Sequence, residues 1–326
     1  MTRHVIIGAG AVGASLAAQF EEAGVPYALV GRGAQIAHIR AQGLTYRRPS
    51  GARDLRLNAF DAEEPPELSA GDVLLLTVKT QDVEAATAFW ARRPLREGGT
   101  AGGSLPIVTF QNGLAAETIA LRRFARVYGA SILTPSVYTQ TGEVSCFGHP
   151  QAGVVTLGRY PGGLDALAEG LAADLVKADY IAEARADIPR WKAAKLLHNV
   201  RNVVELFDAD PESAAAFGAA LSEEAARVLR AAGHEVSDPS ERRVSLAGWS
   251  KAPGSPSGQS TWQSVARGAP HEVDYLNGEI VLLGRAHGVG TPYNAAAQEA
   301  AAELTRTGAD FGALRALADR FAQAAA

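Results

Sequence analysis

At 326 residues the chain is long enough for two domains of ordinary size, each with its own core. A content of 47% hydrophobic and 20% charged residues, with a formal net charge of -4, is that of a globular protein and gives no basis for a nucleic-acid partner. The single cysteine, Cys146, excludes an intrachain disulfide and a cysteine-based metal cluster and reads as a small buried hydrophobe; no metal is expected. A strand-like run begins by residue 4, leaving no room for a signal peptide, and no apolar run approaches the roughly 20 residues of a membrane span. A cytoplasmic protein that engages no membrane is expected.

In chain order, the first half alternates short apolar runs with helical stretches, the mark of a parallel sheet covered by helices. The runs are "HVIIGAG", "YALVGRG", "DVLLLTVKT" and "LPIVTFQNG", then weaker ones at "RVYGASIL" and "GVVTLGR", and a last at "YIAEARADI". Helical intervals such as 14–23 and 82–91 lie between them. From about Pro189 the sequence turns Ala-, Leu- and Glu-rich, and helices are predicted near 189–207, 211–232, 271–287 and 292–305. The Pro/Ser/Gly-rich stretch 237–259 interrupts this half and reads as a functional or a plain surface loop. The tail "RALADRFAQAAA" reads as a terminal helix. The expected fold is α/β: a Rossmann-type dinucleotide-binding domain over 1–186, then an all-helical domain over 187–326. Apolar faces in the helical half permit a homodimer without requiring one.

"HVIIGAGAVGASLA" supplies Gly8, Gly10 and Gly13 in G-x-G-x-x-G spacing, set between an apolar strand and a helix. Gly8 serves the tight turn, Gly10 lets backbone approach a pyrophosphate, and Gly13 lets helix pack on strand. The helix N-terminus at Ala11, Val12 and Gly13 then faces the phosphates. At the end of the second strand, where an acidic residue would hold the ribose diol of NAD, stands Arg32. Its planar charged fork suits a 2′-phosphate, which favours NADPH/NADP+. Lys79, ending "DVLLLTVK", adds a second positive charge near the adenosine end.

In "RWKAAKLLHNVRNVVELF", Trp191, Lys195, His198, Asn199 and Asn202 fall on one face at about 100° per residue, and Leu196, Val200, Val203 and Phe207 on another. This is compatible with an amphipathic helix wet on one side. Two asparagines and a tryptophan are an unusual choice for plain solvation, however. A lysine one turn before an amide suits a site that orients a carbonyl oxygen and protonates it. His198 is a rival general acid, but it points about 60° away from Lys195.

In order and spacing, "IIGAGAVG", "GRG", "DVLLLTVKT", "FQNGL", "KLLHNVRN" and "HEVDYLNGEI…HGVGTPYN" resemble the ketopantoate reductase family, over roughly residues 4–294. The resemblance implies a substrate site served by both domains, NADPH as hydride donor and a small 2-keto acid or related ketone as acceptor. It makes Lys195 the catalytic lysine and Asn199 the amide one turn later. Glu272 is then the acid that contacts the substrate hydroxyl or holds the lysine, Ser260 meets the substrate carboxylate, and Asn112 lies near the nicotinamide end and the substrate. It also places Arg32 and Lys79 at the 2′-phosphate. The family's second asparagine falls here on Val203, with Asn202 one position earlier and still able to face the substrate. Ser264 takes an aspartate's place, and His271 that of a threonine. These departures touch the substrate side, so a relative with another ketone, or one running as a dehydrogenase, stays open. A non-catalytic NADP(H)-binding sensor is the alternative of another class; it would not need Lys195, Asn199 and Glu272.

Overall fold

Apolar runs whose side chains are buried on both faces need cover on both sides, and they build the main sheet. This computed structural model describes residues 2–138, 140–207, 210–253, 260–266 and 268–307. Its strands are β1 (Arg3–Ile7), β2 (Tyr27–Gly31), β3 (Leu44–Arg48), β4 (Gly51–Leu55), β5 (Ala59–Asp61), β6 (Asp72–Leu76) and β7 (Pro106–Thr109). Then follow β8 (Arg126–Leu133), β9 (Ser136–Val137), β10 (Glu143–Cys146), β11 (Gly148–His149), β12 (Gly153–Arg159), β13 (Tyr180–Ala184) and β14 (Ser250–Lys251). The eight-stranded sheet runs β13-β12-β8-β7-β6-β1-β2-β5. All seven expected runs are in it, with every residue of β2 and β6 buried. Its pairs are parallel except β8 with β12, which are antiparallel in the register Val154↔Leu133, a departure from the all-parallel expectation. The chain leaves β1 to one side for β2 and returns to the other for β6, so β1 sits at the topological switch point.

Helices α1 (Ala11–Ala23), α2 (Gly33–Gln42), α3 (Val83–Ala91), α4 (Ala101–Ser104), α5 (Ala115–Leu121) and α6 (Ala166–Lys177) accompany the sheet. A second sheet, β4-β3-β10-β9, was not expected. Its hairpin β3–β4 turns at Pro49 and Ser50, and β4 is exposed over most of its length, so its sequence lacks an apolar face. Cys146 is fully buried, its thiol against the Ala152 carbonyl at 3.1 Å.

The second half holds α7 (Ile188–Asn199), α8 (Pro211–Ala231), α9 (Ser260–Ala266), α10 (Asn277–His287) and α11 (Pro292–Thr307). Two of the expected helices differ in form. The stretch 189–207 is α-helical only to Asn199 and tightens into a 3-10 helix over Val200–Leu206. The stretch 271–287 begins as a 3-10 turn, Val273–Tyr275, before α10. His287 ends α10 and Gly288 caps it at φ 68, the left-handed conformation that glycine adopts without strain. The tail 308–326 and residues 254–259 of the Pro/Ser/Gly-rich stretch lie outside the described residues.

By contacts the chain forms two compact units: Met1–Gln111, Ala116–Pro189 and Pro239–Ser255 in the first, Asn112–Ala115, Arg190–Asp238 and Pro256–Ala326 in the second. Part of the Pro/Ser/Gly-rich stretch thus belongs to the sheet unit, and buried charges account for it. Arg242 donates to the Thr156 hydroxyl at 2.9 Å, Glu183 accepts the Arg243 N–H at 3.1 Å, and Arg185 donates to the Glu241 carbonyl at 2.9 Å. Strand β14 pairs with β11. Among the described residues, no helix is long and apolar enough to cross a membrane.

The helical unit packs Leu196, Val200, Val203, Leu221, Val228 and Ile280 at its centre. Glu224 of α8, only 2% exposed, reaches the first turn of α11. It accepts from the Tyr293 N–H at 3.1 Å, the Asn294 N–H at 2.8 Å and the Asn294 amide at 2.9 Å. A carboxylate satisfies N–H groups that the helix itself cannot, and opposes the positive end of its dipole. Glu224→Ala is therefore expected to cost about 2–4 kcal/mol, because it strands buried donors. Urea unfolding followed by helical circular dichroism measures this, and a cost under about 0.5 kcal/mol, the range of neutral surface changes, would contradict the assignment.

Candidate functional site

The glycine turn follows β1 directly. Gly8 has φ +119, a conformation open to glycine, and its N–H donates to Val30 O at 2.8 Å. A Cβ on Gly13 would lie 1.9 Å from Gly8 O and 2.5 Å from the Thr77 hydroxyl, so no side chain fits between α1 and the turn. Gly10 differs, since a Cβ there would meet nothing within 4 Å. The protein's own packing does not demand this glycine. It leaves bare backbone facing open space at the start of a 13-residue helix, beside the unpaired first-turn N–H groups at Ala11, Val12 and Gly13. That cradle fits a pyrophosphate, so the residues present suit a dinucleotide.

Thr77, which the sequence reading did not single out, pins the turn from the neighbouring strand. Its hydroxyl lies 3.0 Å from Ile7 O and 2.9 Å from Gly8 O. In turn, Gln111 braces the chain after β6 by donating to Leu76 O at 2.9 Å and Val78 O at 2.7 Å. Arg32, the residue after β2, is 74% exposed, and its Nη2 meets Asp82 Oδ1 at 3.0 Å. Gly31 is packed so closely that a Cβ would lie 2.6 Å from that of Ala9. Lys79 is half-buried just before the 3-10 turn Thr80–Asp82. Since β2, β1 and β6 are parallel neighbours, Arg32, the glycine turn and Lys79 all follow strands at the same edge of the sheet.

In the helical unit, the polar stripe is not a solvated face. Trp191, Asn199 and Asn202 are buried, Lys195 is half-buried, and His198 is the most open of the five, although its imidazole ring is still partly covered. The change from α to 3-10 winding at Asn199 puts Asn202 three residues on, where 3-10 side chains eclipse. Asn199 is 3% and Asn202 2% exposed. Asn199 Oδ1 and both polar atoms of Asn202 have no hydrogen-bond partner among the described residues. Buried amides are rarely left in this state, so these atoms are available to a polar ligand or water. His198 is held below the ordinary histidine range by burial first, then by the charges of Lys195 and Arg201. It is mainly neutral at pH 7 and poorly suited to act as the acid.

The turn carrying Asn112 belongs to the helical unit as well. Asn112 is half-buried, and Gly113 after it has φ +82 and sits so near Tyr275 that a Cβ would lie 2.5 Å from its carbonyl oxygen. Glu272, half-buried, precedes the 3-10 turn that ends at Tyr275, so the Asn112 and Glu272 turns pack together. Ser260 is the exposed first residue of α9, and its carbonyl accepts from the Ser264 hydroxyl at 2.9 Å. Ser264 thus stands buried in a local bond rather than offering an acid. His271 bonds the Thr305 hydroxyl at 2.9 Å and serves α11.

A mainly parallel sheet whose first helix opens on a bare glycine turn, joined to a helical unit bearing a lysine and unpaired buried amides, has the build of a dinucleotide-dependent oxidoreductase. The family model for ketopantoate reductase PanE/ApbA matches residues 4–162, and that for its C-terminal part matches 191–305. The 2-dehydropantoate 2-reductase of Caulobacter vibrioides is 30% identical over 308 residues, covering 90% of this chain and 96% of its own. That of Pyrococcus horikoshii is 22% identical over 298 residues, covering 89% and 93%. Two solved structures share the fold. One is a PanE/ApbA family ketopantoate reductase from Ralstonia eutropha, with TM-score 0.74, 22% identity and coverage of 93% of this chain and 98% of that one. The other is D-mandelate dehydrogenase with NADH and anilino(oxo)acetate, with TM-score 0.77, 20% identity and coverage of 94% and 99%. The chain belongs to the ketopantoate reductase PanE/ApbA family, and is an oxidoreductase of ketone/alcohol pairs that uses a pyridine nucleotide.

Proposed function

We propose that the chain reduces a small 2-keto acid with NADPH; the relatives named 2-dehydropantoate 2-reductase support the reductase part of this reading, and Arg32 the choice of nucleotide. The observation that carries this reading is the set of buried amide atoms without a partner beyond Lys195, Oδ1 of Asn199 and both polar atoms of Asn202. When bound, NADPH supplies the hydride; the chain supplies placement, field and proton. Gly8, Gly10, Ala11, Val12 and Gly13 hold the pyrophosphate, Arg32 and Lys79 the 2′-phosphate, and Asn112 the nicotinamide end. The Lys195 ammonium stabilises the charge growing on the carbonyl oxygen and delivers its proton. Asn199 holds that oxygen or the lysine, and Glu272 anchors a substrate donor or tunes the lysine. Asn202 and Ser260 receive the substrate's remaining polar groups. The nucleotide falls to residues 1–186 and the chemistry to 187–326, with Asn112 the exception.

Ketopantoate is the first substrate to test. The placement of Asn202 and the local bond of Ser264 favour a different 2-keto acid as the second, and a panel followed by NADPH consumption separates them. Arg32→Ala tests the nucleotide. It is expected to weaken NADPH binding by about 10- to 100-fold, the loss of one or two charge-assisted bonds, and NADH by less than about twofold. Equal weakening of both would remove the 2′-phosphate contact.

A further inference from the structure

The edge of the sheet that carries Arg32 also carries a carboxylate. Asp82 closes the 3-10 turn Thr80–Asp82, and its Oδ1 lies 3.0 Å from Arg32 Nη2. Both side chains are open to solvent, at 74% for Arg32 and 42% for Asp82. A second acid, Asp61, stands opposite Gly31 where β5 pairs with β2. Its Oδ1 is engaged by the Glu63 N–H at 3.0 Å, within its own turn. Asp82 is therefore the carboxylate set against the arginine fork.

We propose that Asp82 is a specificity-determining residue that works against Arg32 and narrows the preference for NADPH over NADH. This rests on the reading of Arg32 as the grip on the 2′-phosphate. Two roles for Asp82 oppose each other in sign. As a clamp it would orient Arg32 and favour NADPH, but an exposed ion pair holds its partners weakly. As a charge it repels the phosphate that Arg32 holds. A 2′-phosphate dianion in that fork lies roughly 6 Å from the carboxylate, where Coulomb repulsion in water costs about tenfold in affinity, and about three- to fourfold after screening by physiological salt. Repulsion outweighs clamping. NADH brings a 2′-hydroxyl instead, and a carboxylate at this edge is a ready acceptor for it. The arginine favours one nucleotide and the aspartate the other.

The test is equilibrium titration of NADPH and of NADH into the wild type, Asp82→Asn, Asp82→Ser and Arg32→Ala, with thermal unfolding to confirm that each variant folds. Both Asp82 variants are expected to tighten NADPH by about three- to tenfold, with a gain that shrinks as salt rises, and to weaken NADH by about two- to threefold. If Arg32→Ala is selective for NADPH while the Asp82 variants leave the ratio unchanged or weaken NADPH, the proposal fails and the phosphate grip stands. If Arg32→Ala weakens both nucleotides equally, the phosphate grip fails and the proposal with it.

Discussion

Lys195→Ala is expected to lower kcat by about 10³-fold and to leave the Kd for NADPH within about twofold, because the proposed proton delivery and charge stabilisation would be lost while the nucleotide cradle is untouched. Lys195 sits half-buried on α7, one turn before Asn199. Removal of a single oxyanion donor costs about 10²–10³-fold and removal of a general acid about 10²–10⁴-fold; the proposed mechanism gives both roles to one ammonium. The loss falls on kcat more than on KM, since the interaction strengthens as charge develops on the oxygen. His198, whose pKa is pushed below the ordinary histidine range, is not expected to take over, and His198→Gln should change kcat by less than about threefold. Turnover by Lys195→Ala near the wild-type rate would remove the lysine from the chemistry.

The second large effect separates two glycines that a motif treats alike. In Gly13→Ala the new methyl would lie 1.9 Å from Gly8 O, a backbone atom with no freedom to move aside. The helix must shift from the strand, at a cost of about 3 kcal/mol or more, and nucleotide binding falls with the distorted turn. In Gly10→Ala nothing of the protein lies within 4 Å of the new methyl. Its melting temperature should stay within about 2 °C of wild type, while the methyl would enter the space proposed for the pyrophosphate and is expected to weaken NADPH by about tenfold or more. Wild-type affinity in a folded Gly10→Ala variant would show that the pyrophosphate lies elsewhere.

What the sequence made legible is what short-range pattern determines. The run that became β2 carries no charge, and the one that became β6 is apolar after Asp72, which pairs with Arg3, because both faces are covered; the glycine spacing could be placed between β1 and α1. The hairpin β3–β4 is arginine-rich and exposed, so no period marks it. The reversal of β12 against β8 depends on pairing between distant segments, which apolar runs do not encode. In the candidate site, Lys195 and Asn199 could be assigned to one face from helical period alone. That Asn199 and Asn202 are buried and unpaired could not, since periodicity equally allowed a wet face. The 3-10 winding that brings Asn202 beneath Asn199 also carries no strong residue signal. Asp82 and Thr77 were missed because they meet Arg32 and the glycine turn from β6, far along the chain.

The most direct measurement is a single-turnover reaction of the purified protein with NADPH deuterated at the transferable position and 2-dehydropantoate, followed by a panel of other 2-keto acids. The account predicts one deuterium at C2 of a 2-hydroxy acid for each NADPH oxidised, with the rate falling about 10³-fold in Lys195→Ala. Tight NADPH binding with no oxidation by any 2-keto acid would contradict it and leave the fold serving as a nucleotide sensor.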